Sequence, residues 1–174
     1  AERIILSYLD QIGIQIIRPA TVCGFSKRMR LDTMVNMLTY QALSEGKITA
    51  HCGEHGGDLM RPNIHIDDIT DLYVFMLERP ELTGVYNASF ENISALQTAE
   101  LIAKEIPSEI EITKVKDKRS YRVNSDKLLK TGFTPKKKVL DAIRELKEKF
   151  TSGELKKTPM STNLTWMRDN GWAR

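Results

Sequence analysis

Cysteine is scarce in this chain: 2 of 174 residues, Cys23 and Cys52, with no CxxC spacing to hold zinc or a redox disulfide. Both sit in apolar or glycine-flanked contexts, as buried or incidental thiols of a reducing compartment do. His51, Cys52 and His55 lie close together, but no second ligand pair stands at zinc-site spacing, so no metal is expected. No apolar run approaches a membrane span and the opening has no leader-like character, so no membrane partner and a cytoplasmic location are the expectations. The net charge is only +3. Basic residues gather at 114–130 and 136–138 beside acidic neighbours with few aromatics, whereas a nucleic-acid surface needs a one-sided basic face; no nucleic-acid partner is expected. The familiar signatures of chemistry are missing too. There is no GxGxxG turn, phosphate loop, nucleophile elbow or Tyr-x-x-x-Lys pair, and Gly53, Gly56 and Gly57 read as a mobile loop. No catalytic residue is expected within this chain.

What remains is ordinary and globular, 41% hydrophobic and 28% charged, long enough for one core and parts of a second. Residues 1–9 read as a helix, with Ile5, Leu6 and Leu9 on one side and no capping residue before it; Gly13 reads as its C′ residue. A buried strand is expected at 14–17, without alternation, as in a parallel sheet covered on both faces. A helix feeding such a strand is half of an α/β crossover, so the chain is expected to open in the tail of a larger sheet domain. Beyond Arg18-Pro19 come a basic loop at 25–30 and a helix at 31–45 ended by Gly46, with Leu31, Met34, Val35, Leu38 and Ala42 inward. Strands are expected at 48–52, 85–88 and 110–115, the last with one wet face. Ser94 and Gln97 form a capping box for a helix through Glu105. A final helix spans 137–150. The segment from 151 is polar and weakly patterned, with Trp166 and Trp172 as hints of packing back.

The most informative stretch is Arg61-Pro62-Asn63-Ile64-His65-Ile66-Asp67-Asp68-Ile69. Ile69, Leu72, Tyr73, Met76 and Leu77 form one helical stripe, Asp67 reads as its N-cap, and Asp68 and Asp71 suit the dipole of the first turn. Arg61 then stands just upstream of the helix, either as a phosphate ligand or as a surface arginine. Asp117-Lys118-Arg119-Ser120-Tyr121 supplies a second arginine, read either as a partner of Arg61 on one diphosphate or as a salt bridge to Asp117 or Asp126. Asn36 is either a donor to a sugar or phosphate or a solvated mid-helix amide.

Taken together, Arg18-Pro19-Ala20-Thr21-Val22-Cys23-Gly24, Arg28-Met29-Arg30-Leu31-Asp32, Asn36, the Arg61–Asp68 stretch, Val85-Tyr86-Asn87-Ala88 and Arg119-Ser120-Tyr121-Arg122-Val123 are similar, in that order, to the C-terminal part of the extended short-chain dehydrogenase/reductase superfamily. Its members are NAD-dependent nucleotide-sugar epimerases and dehydratases. The likeness runs from Ala1 to about Phe150, with Cys23 where the family has tyrosine. It implies an α/β fold: residues 1–25 as the last helix and strand of a Rossmann-type parallel sheet, 26–150 as a smaller mixed nucleotide-sugar-binding lobe, and 151–174 as a weakly structured extension. It also implies Pro19 and Ala20 against the nicotinamide of NAD or NADP, Thr21 near the sugar, Asn36 on the nucleotide-sugar, Arg61 and Arg119 on its diphosphate, and Thr49 and His51 at the nucleobase. Asp67 and Asp68 are structural. The family's glycine-rich turn and Tyr-x-x-x-Lys pair belong upstream of Ala1, so the chain is expected to be part of a homodimeric enzyme that works through a 4-keto sugar, and to be inactive alone. Two other classes stay open: a non-catalytic sugar-nucleotide-binding or regulatory protein, and an NADP-dependent carbonyl reductase of the same superfamily.

Overall fold

The computed structural model describes residues 1–117 and 119–172; Lys118, Ala173 and Arg174 lie outside them. In chain order the helices and strands are α1 (Glu2–Leu6), β1 (Gln15–Pro19), β2 (Thr21–Cys23), α2 (Met34–Glu45), β3 (Lys47–Gly53), β4 (Met60–His65) and α3 (Ile66–Leu77). There follow β5 (Gly84–Ala88), β6 (Glu91–Ser94), α4 (Ala95–Glu105), β7 (Glu109–Val115), α5 (Asp126–Leu129), α6 (Val139–Thr151), a 3-10 turn (Pro159–Ser161) and α7 (Asn163–Asp169). Three small sheets result: β1 parallel to β5, β2 parallel to β4 with β6 antiparallel on its far side, and β3 parallel to β7. Parallel strands interleaved with helices make this an α/β fold, the class expected from the sequence.

The core follows the periodicities of the elements. Ile48, Ala50 and Cys52 turn one face of β3 inward while Lys47 and His51 stay exposed on the other. That inner face meets Val35, Leu38 and Ala42 of α2, Ala99 and Ile102 of α4, and Val139, Ala142 and Ile143 of α6. A second cluster gathers Ile64, Ile69, Leu72, Met76 and Tyr86 between α3 and the β1–β5 sheet. Gly46 ends α2 at φ 66°, as expected, and Ser94 and Gln97 close a reciprocal capping box. In the 151–174 segment, Leu155 is buried against Met29 and Leu31, and Ser161 O accepts from Leu31 N at 2.8 Å. Trp166 is half-buried beside Arg28, whereas Trp172 is 74% exposed.

Several local expectations are corrected. The first helix is one turn, Glu2–Leu6, with no buried residue, and Gly13 does not take the left-handed conformation of a C′ residue. An apolar spacing without tertiary cover does not sustain a longer helix. The strand at 14–17 is shifted to Gln15–Pro19 and is half-buried to exposed. α3 is capped by His65 rather than Asp67: the His65 ring accepts from Asp67 N at 3.1 Å. Its stripe is narrower than read, since Tyr73 is 49% and Leu77 79% exposed. Asp68 is buried, its two carboxylate oxygens accepting from Lys136 N at 2.8 Å and Lys137 N at 3.0 Å.

The two aspartates should therefore separate in urea denaturation. Asp68→Ala strands two backbone donors that a charged acceptor had satisfied and is expected to cost about 3 kcal/mol. Asp67, with a side chain 57% exposed, should tolerate alanine to within about 0.5 kcal/mol. Equal losses would contradict the reassignment of the cap.

Candidate functional site

Arg61 sits at the start of β4, where the strand pairs with β6 but lies two residues before its pairing with β2 begins at Asn63. Its guanidinium is held rigidly. Nη1 donates to Met60 O at 3.0 Å and to Arg119 O, and Nη2 donates to Asp117 at 2.9 Å. The side chain is 18% exposed and its charge lies 5.9 Å from the Tyr121 ring. Segment 119–121 is clipped to the same strand, Tyr121 N donating to Met60 O at 3.3 Å and Met60 N to Ser120 Oγ at 3.1 Å. Arg119 is of another kind. Its side chain is 79% exposed and lays Nε and Nη2 on Asp117 at 2.9 and 2.8 Å, while its backbone N–H adds a bond of 2.9 Å to the same carboxylate. Of the two acids that stood as alternatives, Asp117 takes Arg119; Asp126 bonds Asn124 instead. The Arg119 hydrogen bonds first, and the Arg61 charge after them, hold the Asp117 carboxyl well below the usual carboxylate range.

Beside this cluster opens a cleft of about 210 Å³ whose walls include Met34, Met37, His51, Leu59, Arg61 and Asp117. It runs on past Leu59 and Asp117 into a wider recess of about 370 Å³ under the Gly53–Gly57 turn. Met34 and Met37, one helical turn apart on α2, offer thioether and methylene surface that suits a flat ring. His51 rises from the wet face of β3, its Nδ1 2.6 Å from Thr113 Oγ1 on the neighbouring strand. Positive charge at a rim over an apolar floor can hold an anionic group attached to a planar one.

The structure thus places Arg61 and His51 in the walls of this cleft, with Arg119 joined to Arg61 through Asp117, and does not bring the other expected residues into it. Thr49 shares the outer face of β3 and is half-buried, its N–H donating to Gln41 Oε1 at 3.3 Å. Asn36 is buried and both ends of its amide are bonded within the chain, with Nδ2 donating to Arg30 O at 3.0 Å and Oδ1 accepting from Gly24 N at 3.1 Å. Pro19, Ala20 and Thr21 lie at the junction of β1 and β2, where Ala20 N donates to Ala88 O at 2.8 Å. Asp117 was read from sequence only as a possible salt-bridge partner of Arg119, and Met37, Leu59 and Thr113 were not singled out. The Met34–Met37 spacing was available as a signal; the others depend on β3–β7 pairing across distant segments.

Two further groups have no reactive character. The Cys23 thiol is 1% exposed and pushed up to about 12, mainly by burial and then by the charge of Glu91, so it is no nucleophile. Among the described residues no group of three or more His, Cys, Asp or Glu is placed to hold a metal, and His51 and Cys52 occupy opposite faces of β3. No helix among these residues is long and apolar enough to cross a membrane.

No family model matches the chain. Solved structures do. dTDP-glucose 4,6-dehydratase from Bacillus anthracis, in complex with NAD, matches with a TM-score of 0.72 and 19% identity over 88% of this chain and 50% of its own. UDP-glucuronic acid 4-epimerase from Bacillus cereus, in complex with UDP-glucuronic acid and NAD, gives 0.71 and 22% over 87% and 50%. UDP-N-acetylglucosamine 4-epimerase from Bacillus cereus gives 0.72 and 18% over 91% and 53%. At these identities what is shared is the fold: the chain is built like part of a nucleotide-sugar epimerase or dehydratase. It spans about half the length of these structures.

The cluster carries a pH signature. A carboxyl whose folded pKa is depressed stabilises the structure above its unfolded value of about 3.9, and that contribution is lost as pH falls through the folded value. Carbon-13 NMR of the Asp117 carboxyl should therefore show titration below the range of exposed aspartates. Arg119→Ala should move the midpoint back up further than Arg61→Ala, the order of the causes above. The reverse order would remove Arg119 as the principal partner.

Proposed function

We propose that this chain is the nucleotide-sugar-binding part of an NAD- or NADP-dependent epimerase or dehydratase. Residues 26–150 hold a nucleotide-diphosphate sugar, and residues 1–25 belong to the cofactor-binding sheet. The observation that carries the reading is the convergence of Arg61 and Arg119 on one carboxylate at the rim of an apolar cleft, within a fold shared with enzymes of that class. A diphosphate satisfies two guanidinium forks, while a nucleobase fits the surface of Met34, Met37 and Leu59, with His51 and Thr49 addressing its polar edge. Thr21 lies toward the sugar. Asn36 serves the site through the loop it bonds at Gly24 and Arg30.

For the cofactor, the C-terminal ends of the parallel strands β1 and β5 meet at Pro19 and Ala88, the end of an α/β sheet where such ligands bind. Pro19 is exposed and Ala20 small, an uncharged step that fits the face of a nicotinamide. Pro19 and Ala20 would hold the nicotinamide of NAD or NADP, which when bound would supply a reversible hydride acceptor beside the sugar. Within this chain the contribution is positional: a remote hold on the diphosphate fixes the sugar carbon relative to Pro19 and Ala20. A cytoplasmic, homodimeric enzyme completes the proposal.

Calorimetric titration with UDP-, GDP- and dTDP-sugars tests it. One nucleotide series should bind, and Arg61→Ala should weaken it by roughly 10- to 150-fold, the loss of a charge-assisted bond worth about 1.5–3 kcal/mol. Affinity left unchanged by both Arg61→Ala and Arg119→Ala would remove the diphosphate assignment.

A further inference from the structure

The arginines at the cleft are not equivalent, and Asp117 is what makes them differ. Arg61 is part-buried and tied to two backbone carbonyls as well as to the carboxylate, so it keeps its place whatever Asp117 does. Arg119 is mostly exposed, and every side-chain bond it makes among the described residues goes to Asp117. The carboxylate therefore already occupies the fork of Arg119, leaving the pair of guanidinium groups one positive charge in excess. A ligand diphosphate brings more than one negative charge to the same donors, and like charges at that distance repel.

We propose that Asp117 is a resident anion that the ligand exchanges with: the diphosphate takes the Arg119 fork from Asp117, while Arg61 stays anchored as the fixed half of the clamp. The inference rests on the diphosphate reading above. Asp117 is then a specificity-setting residue rather than a ligand contact. It holds Arg119 at the edge of the cleft that Asp117 lines, and it admits only anions that compete with an intramolecular carboxylate. The exchange moves no covalent bond and no proton. It replaces one set of charge-assisted hydrogen bonds by another, and its energetic span is small because the Arg119 side chain that changes partner is 79% exposed.

Inorganic pyrophosphate is the probe, titrated calorimetrically into the chain and its variants. Asp117→Asn keeps an acceptor for Arg119 N but removes the charge. It should tighten pyrophosphate binding on the order of fivefold. In an Arg119→Ala background the same substitution should gain less than about twofold, because there is no fork left to release. Equal gains in both backgrounds, or binding weakened by Asp117→Asn, would overturn the exchange. In the native chain, the Asp117 carboxyl carbon resonance should shift toward that of an unpaired carboxylate as pyrophosphate saturates; a resonance that stays put would overturn it without recourse to any variant. If pyrophosphate binds and Arg61→Ala abolishes binding while these signatures fail, the diphosphate reading survives and the exchange does not. If pyrophosphate fails to bind native and variant chains alike, both fall.

Discussion

The carboxylate of Asp68, buried at the first turn of α3, accepts the backbone N–H groups of Lys136 and Lys137 just before α6 begins. Two other acids act in the same way: Glu91 accepts from Val139 N at 2.8 Å, and Glu145 from Phe25 N at 2.9 Å. These bonds tie α6 to α3, to β6 and to the loop after β2. They matter because the strands are divided among three short sheets, none of which alone fixes where the helices lie. With α6 located, Val139, Ala142 and Ile143 close the core over α2 and α4. That core in turn holds Met34, Met37 and β3 at the cleft. Charge–backbone bonds here replace the ladder hydrogen bonds that a larger sheet supplies.

Much of this was legible in the sequence, for identifiable reasons. α4 with its capping box, the body of α6 and the end of α2 were read well because local spacing and local hydrogen bonds determine them: Gly46 needs a left-handed φ, and Ser94 and Gln97 bond each other, whereas α2 begins at Met34 rather than at 31. The failures have a common cause. Residues 1–9 carry an apolar spacing but Ile4, Ile5 and Tyr8 remain exposed, so periodicity overstated the helix. Asp67 is a good cap by residue type, yet the helix begins earlier: His65 is the cap and accepts from the backbone N–H of Asp67 itself. Asp68 was read for the helix dipole, whereas its partners lie some 68 residues away.

The site divides along the same line. Arg61 and Arg119 were recognisable as a pair, and the structure does bring them to one point. Asp117 stood in the sequence only as an alternative partner for Arg119; that it serves both arginines depends on the docking of 119–121 onto β4, which no local pattern announces. Asn36 shows the opposite case. Its position on α2 was correct, but Gly24 and Arg30 bond both ends of its amide, a fact that only tertiary geometry reveals. An apparently free polar residue in a sequence is an inventory of donors, not a count of vacant ones.

The parallel pairing of β3 with β7 has a kinetic side. His51 faces Thr113 and Gly53 faces Val115, yet β4, α3, β5, β6 and α4 all lie between them in the chain. Such pairs close late, because loop-closure entropy is spent before any contact repays it. His51, Leu59 and Val115 therefore come into register only once nearly the whole chain is in place. A half-folded intermediate carries its helices but no cleft, which makes ligand binding a reporter of completed folding rather than of secondary structure.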